Sequence, residues 1–226
     1  MLKVLENAVP VACWSCSVAH NESTLFCPDC SKIQPPSSGD FFAVFGLEHR
    51  LNIDLAALER EFHRLSRRLH PDRFARASEN EKQWSLADTA LVNDAYRTLK
   101  DPLRRTEYLL KLEGASSPAA LVRDQEKIPA ELLEEVFDLN LQIEELRMAR
   151  KLGQDDPGLK EHLREAEIKL QAMVAAVDGD LRAQWTIWDA GDGAARPAAQ
   201  RAMVALLERR RFLSNLVRDV KELLRS

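Results

Sequence analysis

The stretch LEREFHRLSRRLHPDRF, residues 58–74, decides the fold of the middle of the chain. Its apolar residues recur at i, i+4, i+7 and i+11, which predicts an α-helix with one apolar face: Leu58, Phe62, Leu65 and Leu69. A second face is basic and carries Arg60, Arg64, Arg67 and Arg68. Asp54 is a suitable N-cap, and Pro71 ends the helix because proline lacks an N–H and clashes with the preceding turn. His70, Pro71 and Asp72 therefore stand together where a basic amphipathic helix stops.

Helical elements are predicted on both sides of this helix. Before it, residues 41–47 form a short apolar element. After it, the polar stretch ARASENEKQ, residues 75–83, precedes a second long helix with apolar spacing over residues 86–99. Residues 101–114 form a shorter helix that an Asp-Pro pair opens and a glycine follows. Two antiparallel helices joined by the loop at His70 thus predict a small helical hairpin.

All four cysteines lie within one short segment, CWSCSVAHNESTLFCPDC. They form two C-x-x-C pairs, Cys13 with Cys16 and Cys27 with Cys30, and two such pairs complete a tetrahedral shell of sulfur around one metal ion. A segment this short buries little apolar surface, so metal binding has to supply its folding free energy. Because the shell leaves no position open for water, the sequence predicts one structural zinc ion.

Three other interpretations of the cysteines stay open on the residues alone. Two disulfides would need an oxidising compartment, and nothing in the sequence signals export. A rubredoxin-like iron site uses a similar spacing. A thioredoxin-type redox pair normally lies in a βαβ pattern, which does not surround these pairs. His20 offers one further ligand, although four sulfurs already suffice. The stretch SKIQPPSSGD, residues 31–40, is interpreted as a linker that ends the module.

The composition of the chain argues against some classes of function. Apolar residues make up 45% of the chain and charged residues 30%, as in soluble folded proteins. The formal net charge of -4 argues against general nucleic-acid binding, and no apolar run reaches the length of a membrane span. The first ten residues are too short and too poor in basic residues for a targeting segment. We therefore expect a cytoplasmic protein, or a mitochondrial-matrix protein if a leader has been removed.

Three long amphipathic segments predict a three-helix bundle in the C-terminal half. They cover about residues 130–152, 158–188 and 197–225. The intervening stretches GQDDPG and DAGDGAARP are short, so neighbouring helices should be antiparallel. The Gly-Asp-Gly of residues 191–193 lacks the acidic spacing of a calcium loop and is interpreted as a turn.

The first of these segments carries two apolar stripes. On a helical wheel of about 100° per residue, Leu132 is placed at zero. A core face lies within about 40° of it and comprises Leu132, Val136, Leu139, Ile143 and Leu146. Phe137, Leu141 and Met148 fall about 140–180° away, and Leu133 lies at about 100°. The second stripe is framed by Glu134, Asp138, Glu144 and Glu145. An apolar patch rimmed by charge is typical of a partner site, whereas packing on the rest of the protein is the equal alternative from spacing alone.

The His-Pro-Asp tripeptide at the end of a basic helix, followed by NDAYRTLKDPLRRTEYLL at residues 93–110, resembles a J domain. J domains make DnaK-class chaperones hydrolyse ATP. The longer pattern from residue 40 onward resembles the HscB type, whose members deliver the iron–sulfur scaffold IscU to a dedicated chaperone. The four-cysteine module is similar to that of some members. The resemblance implies that the loop is an interaction device, with chaperone-binding residues His70, Pro71, Asp72, Arg60, Arg64, Arg67 and Arg68.

The resemblance also implies a scaffold-binding surface. HscB-type proteins bind their scaffold through the first C-terminal helix, and LLEEVFDLNLQIEE, residues 132–145, is similar to that stretch. The matching positions are Leu133, Phe137, Asp138, Leu141 and Glu145, with Phe212 from the last helix. The sequence departs from the family at Glu134, where an apolar residue is more usual, and at Leu141, where an acidic residue is frequent.

These observations predict an all-α protein in three parts. Residues 1–37 form the four-cysteine zinc module and linker, residues 38–114 the J domain, and residues 115–226 a scaffold-binding three-helix bundle. The predicted function is a non-enzymatic co-chaperone that delivers an IscU-type scaffold to a DnaK/HscA-class chaperone and stimulates its ATP hydrolysis. No nucleophile elbow, phosphate loop or open metal constellation is recognisable.

The alternative from another class is a zinc-ribbon protein with a helical body that binds nucleic acid or has a regulatory role. The cysteine segment contains no lysine or arginine, so it offers no source of phosphate contacts. We therefore expect neither nucleic acid nor membrane among the partners. The sequence does not determine the oligomeric state.

Overall fold

The structure, a computed structural model, describes residues 11–20, 24–36, 39–114, 133–152, 157–191 and 193–225. For residues 133–136, 146–147 and 150 it describes the backbone alone. The chain divides into two compact units, Met1–Tyr108 and Leu109–Ser226. This division does not separate the cysteine module from the helices that follow it, so the domain limits at residues 37 and 114 stay predictions.

The all-α prediction is confirmed, because strands in the described residues are confined to one short ribbon. In that ribbon β1, Val11–Ala12, pairs antiparallel with β2, Ala19–His20. No helix in the described part of the chain is both long and apolar enough to cross a membrane.

The first unit contains the predicted helical hairpin. Helix α1 spans Phe41–Val44, α2 spans Leu55–Leu69, α3 spans Glu79–Lys100, and α4 begins at Pro102 and ends at Leu112. The Asp54 carboxylate caps α2 by accepting from the N–H groups of Ala56 and Ala57, at 2.9 and 3.0 Å. Helix α2 ends one residue before His70, as the position of Pro71 predicted. Residues Pro71–Phe74 then form a turn of 3₁₀ helix.

The apolar face of α2 is buried at three of its four predicted positions. Leu58, Leu65 and Leu69 are buried, whereas Phe62 is half-buried and stacks on Tyr96 of α3 with ring centroids 4.1 Å apart. Stacked aromatic pairs of this kind add to the stabilisation that apolar burial provides. Apolar burial and this aromatic stacking therefore both hold the two long helices of the hairpin together.

Helix α3 begins earlier than predicted. Its first residue is Glu79, inside the stretch that was expected to precede the helix. The hydroxyl of Ser78 accepts from the Glu81 N–H while the Glu81 carboxylate accepts from the Ser78 N–H, which is a complete capping box. The prediction was wrong because it followed apolar spacing, and the inward positions of the first turns are polar: Glu81, Ser85 and Asp88.

The described residues of the second unit comprise the end of α4 and three long helices. Helix α5 spans Leu133–Lys151, α6 spans Pro157–Ala190, and α7 spans Ala195–Arg225. These bounds lie within a few residues of the predicted ones. Helix α5 packs against α6, and α6 and α7 form the most extensive pair. Within that pair Arg210 contacts Asp178 and Lys221 contacts Glu167, so α6 and α7 run antiparallel.

Candidate functional site

The four cysteines lie together in the first unit. All four Sγ atoms lie within 4.8 Å of one another, with Cys13 and Cys30 at 3.6 Å and Cys16 and Cys27 at 3.7 Å. A tetrahedron of sulfurs about 2.3 Å from a central zinc ion has edges of about 3.8 Å. A disulfide would instead need an S–S distance of about 2.05 Å. The arrangement therefore suits a single tetrahedral metal ion, and the cysteines are not paired as disulfides.

Each C-x-x-C pair is built by the same local turn. The Cys13 N–H donates to the Val18 carbonyl and the Ser17 N–H to the Cys13 carbonyl, both at 2.9 Å. The second pair repeats this pattern with Cys27 donating to Lys32 and Ser31 donating to Cys27. Each second cysteine is followed by a serine with positive φ, +62° at Ser17 and +59° at Ser31. Such residues are uncommon outside glycine, and here they close the turn that points two thiols inward.

Hydrogen-bond donors surround the sulfurs as they would surround thiolates. The N–H of Ser15 and the side-chain amide of Gln34 both donate to Cys13 Sγ at 3.4 Å. Burial raises the pKa of Cys13, but hydrogen bonds from the Cys16 and Ser15 backbone outweigh it and lower the pKa to about 6. The N–H of Val18 lowers the pKa of Cys16, but burial and the neighbouring thiols raise it to about 12. Four sulfurs this close need a cation to be ionised together.

His20 lies at the edge of the cysteine cluster. Its Nε2 is 3.4 Å from Cys27 Sγ and 3.4 Å from an oxygen of Asp29. These three residues form a second group of ligand-type atoms that shares Cys27 with the first. Since the four sulfurs already complete a tetrahedron, His20 is placed to donate to a thiolate rather than to replace it.

The segment predicted as a linker is part of the cysteine module. Ile33 and Gln34 are buried, and Ile33 pairs with Phe26 in an antiparallel bridge. The Ile33 carbonyl accepts from the Trp14 indole N–H at 2.6 Å. The linker prediction is therefore wrong for these residues, because their side chains close the small core of the module despite the prolines that follow.

The His-Pro-Asp loop is exposed between the two long helices of the first unit. Side chains of His70 and Asp72 are 59% and 90% exposed, and Pro71 is exposed as well. His70 Nδ1 accepts from the Asp72 N–H at 3.3 Å, which orders the start of the 3₁₀ turn. Just before the loop, the buried Ser85 hydroxyl on α3 donates to the Leu69 carbonyl at 2.6 Å. The loop is thus supported by α3 while its polar groups face solvent.

The four predicted arginines of α2 have different environments. Arg60 and Arg67 are exposed, and none of the described ion pairs involves them. Arg64 is exposed too, but its Nε donates to Glu61 at 2.7 Å, and this bond is the main reason that the pKa of Glu61 is lowered. Arg68 is half-buried, with its Cζ 3.9 Å from the ring centroid of Phe26.

Arg73 is a further cation near the end of α2, and it was not predicted from the sequence. Arg73 lies in the 3₁₀ turn, is exposed, and appears in none of the described ion pairs. Its position directly after Asp72 was the available signal, because a cation beside an interaction loop adds to the same electrostatic field.

The described residues of the two α5 stripes differ in burial. Leu139 and Ile143 are 5% and 7% exposed, whereas Phe137, Leu141 and Met148 are 65%, 49% and 62% exposed. Asp138 and Glu145 are exposed beside them. Leu133 begins α5, and its side chain lies outside the described residues, as do those of Val136 and Leu146. The described part of the second stripe is therefore a solvent-facing apolar strip with acidic neighbours.

Phe212, the remaining predicted residue, lies on α7. It is half-buried, and the next residue, Leu213, is fully buried in the second unit. The described contacts do not place it in one patch with Phe137, so its assignment to the same surface stays a prediction.

Comparisons with known proteins bear on this arrangement. No protein-family model matches the chain. The iron–sulfur cluster co-chaperone protein HscB of Mus musculus is 34% identical over 138 residues, which are 59% of this chain and 58% of that protein. An HscB homolog of Aromatoleum aromaticum is 38% identical over 138 residues, covering 60% of this chain and 76% of that protein. The crystal structure of human co-chaperone protein HscB matches with a TM-score of 0.67 at 26% identity, over 94% of this chain and 98% of that one.

A basic helix that ends in an exposed His-Pro-Asp loop and packs on a second long helix is the arrangement of a J domain. The chain belongs to the HscB family. The relatives that it matches are named co-chaperones. The matched segment spans 58% of the mouse relative and 57% of the Homo sapiens one.

Proposed function

We propose that the protein binds an IscU-type iron–sulfur scaffold, delivers it to a DnaK/HscA-class chaperone and stimulates the ATP hydrolysis of that chaperone. The exposed loop of His70, Pro71 and Asp72 at the end of the basic α2 carries the proposal. Two surfaces in separate compact units support it, since a delivery factor has to contact cargo and chaperone at once.

The chaperone-binding surface is proposed to comprise the loop and the arginines Arg60, Arg64, Arg67 and Arg68. The exposed guanidinium groups attract an acidic partner surface and orient it before contact, which mainly raises the association rate. His70 and Asp72 then supply directional hydrogen-bonding groups, and Pro71 limits the conformations that the loop can adopt. Screening by salt should weaken the encounter while leaving the loop contacts intact.

His70→Gln tests the chaperone-binding surface. We expect single-turnover ATP hydrolysis by the chaperone to lose its stimulation, because the loop acts through specific contacts. The melting temperature should stay the same, since an exposed side chain contributes little to the core. His162→Gln, a substitution of an exposed histidine on α6, is the matched control and should stimulate normally. Normal stimulation by His70→Gln would contradict the proposed role of the loop.

The scaffold-binding surface is proposed to be the exposed stripe of α5, with Leu133, Phe137, Asp138, Leu141 and Glu145, together with Phe212 on α7. Phe137 and Leu141 are large apolar side chains that the second unit leaves in water. Covering them would release free energy, and the acidic neighbours would select a partner with basic groups at the rim. Basic groups on the scaffold are therefore part of the proposal.

The double substitution Phe137→Ala with Leu141→Ala tests this surface. Apolar anchors often cost more than about 1 kcal/mol each when truncated, so calorimetric titration should show binding to the scaffold weakened by roughly tenfold or more. Ile168→Ala removes an equally exposed apolar side chain from α6 and should leave the affinity unchanged. An unchanged affinity of the double variant would remove α5 from the scaffold site.

We propose that Cys13, Cys16, Cys27 and Cys30 hold one structural zinc ion. Zinc would neutralise the thiolates and supply the folding free energy of the module, without an open position for substrate. Metal analysis of the reduced protein should find about one zinc ion per chain. Iron in place of zinc would favour the rubredoxin-like alternative.

We place the protein in the bacterial-type cytoplasm, or in the mitochondrial matrix if it is made with a leader. The HscB relatives come from bacteria and from organisms with mitochondria. Detection of the endogenous protein in fractionated cells, beside its scaffold and chaperone, tests the placement.

A further inference from the structure

The cysteine module contacts both helices that flank the His-Pro-Asp loop. One contact is with the last turn of α2, before the loop, and two are with the first turns of α3, after it. All three contacts join parts of the first compact unit. The module therefore contacts the end of α2 and the start of α3, and residues 70–78 connect these two helix ends.

The contact with α2 is made by Phe26. The guanidinium carbon of Arg68 lies 3.9 Å from the centroid of the Phe26 ring, which is cation–π geometry. Arg68 is two residues before His70 and half-buried. Burial lowers the pKa of Arg68, and the neighbouring cations Arg64 and Arg73 add to this effect. The ring of Phe26 thus offers this desolvated cation a favourable face at the end of the helix.

The contacts with α3 are made by Lys32 and Trp14. Lys32 Nζ lies 3.2 Å from an oxygen of Glu81, whose side chain is 9% exposed. Glu81 is the capping-box residue that closes the first turn of α3, so Lys32 holds the far end of the loop. Trp14 meets Trp84 edge to face with centroids 5.6 Å apart.

The three contacting side chains belong to one small unit. Trp14 lies between the first two cysteines, Phe26 directly precedes Cys27, and Lys32 follows Cys30 by two residues. The Trp14 indole donates to the Ile33 carbonyl, which ties the first C-x-x-C turn to the second. A cavity of about 440 Å³ lies between the module and the loop, and its lining includes Phe26, Ile33, Arg68, Arg73, Phe74 and Glu81. The module therefore contacts the helix ends on both sides of the loop and leaves this cavity beside the loop itself.

We infer that the metal-bound cysteine module is a brace that fixes the end of α2 relative to the start of α3 and so sets the conformation in which the His-Pro-Asp loop meets the chaperone. Phe26 and Lys32 are its positioning residues. The chaperone part of this inference rests on the proposed function. Loss of the metal unfolds the module and removes all three contacts together.

The fraction of loops in the binding-competent conformation determines how a brace affects the stimulation of the chaperone. If only a fraction of loops is competent to bind, the apparent dissociation constant rises by the inverse of that fraction. The bound loop is the same in each case, so maximal stimulation is unchanged. Removing one cation–π contact and one partly buried ion pair should raise the concentration for half-maximal stimulation by roughly fivefold.

Hydrogen exchange tests the brace without the chaperone. In the full-length, zinc-loaded Phe26→Ala with Lys32→Ala variant, the N–H groups of Arg73 and Ala77, which donate to His70 and Phe74 at 2.9 Å, should exchange faster than in the wild type. Phe26→Trp with Lys32→Arg keeps the ring and the charge and should restore slow exchange. Val18→Ala, on the module but away from these contacts, is the matched control. Equal zinc content and equal melting temperatures exclude general unfolding as the cause.

The ATPase titration then completes the test. We expect the Ala double variant to need roughly five times more protein for half-maximal stimulation, with the same plateau, and chelation of zinc from the wild type to act in the same direction. Unchanged loop exchange in a zinc-loaded variant overturns the brace. Faster exchange with an unchanged half-maximal concentration overturns its link to the chaperone. If the wild type itself fails to stimulate, the proposed function fails, while the exchange result still decides whether the module supports the loop.

Discussion

Replacing Asp88 with asparagine should make the first unit more stable at pH 8 and remove much of its pH dependence. Asp88 lies on the inward face of α3 and is completely buried. Neither of its carboxylate oxygens has a hydrogen-bond partner among the described residues. Burial without a partner disfavours the charged form and raises the pKa of Asp88 to about 7.

The sign and size of the effect follow from proton linkage. An unfolded Asp has a pKa of about 3.9, so the folded state binds the proton more tightly. The resulting stabilisation is present in full below about pH 3.9 and is lost as the pH rises through about 7. Between pH 5 and pH 8 the free energy of unfolding should fall by roughly 2–3 kcal/mol from this group alone. Asparagine has nearly the same volume and does not titrate, so Asp88→Asn should lack this loss.

Urea unfolding at pH 5 and pH 8 measures the difference. Trp14 and Trp84 report on the first unit, whereas Trp185 and Trp188 lie in the second. Both proteins should therefore be compared in a background with phenylalanine at the latter two positions. Equal pH dependence of the wild type and Asp88→Asn would mean that Asp88 ionises normally in the fold, and would refute the reasoning.

Three further tests concern other parts of the structure. Leu139→Ala should leave a cavity and lower the free energy of unfolding of the second unit by about 2–5 kcal/mol, measured by thermal or urea unfolding. Phe137→Ala with Leu141→Ala should cost little. Equal losses would show that the second stripe is internal packing. Ser78→Ala removes the capping box and should cost about 0.5–2 kcal/mol in the first unit, with a loss near zero contradicting the cap geometry. Cys27→Ser should reduce the bound zinc and expose residues 11–36 to proteolysis while α3 keeps its protection, and a variant with full metal content would contradict the four-sulfur site.

Much of the first unit could be predicted because its helix limits are set locally. Asp54 caps α2 with its own carboxylate, and Pro71 prevents continuation whatever surrounds it. The start of α3 was missed, although Ser78 and Glu81 have the spacing of a capping box in the sequence. Apolar spacing does not detect that turn, because its inward side chains are polar and are buried only by the tertiary structure.

In the cysteine module, too, some features follow from the local sequence and others depend on tertiary contacts. The ligand set follows from two C-x-x-C pairs, because each pair turns back on itself within a few residues. The burial of Ile33 and Gln34 does not follow, since SKIQPP has the composition of a linker and packs only because the first turn supplies Trp14 and Cys13 as neighbours. Composition therefore gave the wrong result where long-range contacts decide.

Arg68 shows where counting positions on a helix stops being informative. It lies about 80° around α2 from Arg60, at the edge of the basic face, so sequence spacing alone assigns it to the same solvent-facing surface. The structure instead gives it an aromatic neighbour more than 40 residues earlier in the chain, and Arg64 is held by Glu61. If the proposed chaperone-binding surface is right, we expect the attraction of an acidic partner to depend most on Arg60, Arg67 and Arg73, and Arg68 to act mainly by linking α2 to the module. Charge reversal at Arg67 should therefore slow association with the chaperone without altering loop exchange, and substitution of Arg68 should alter both.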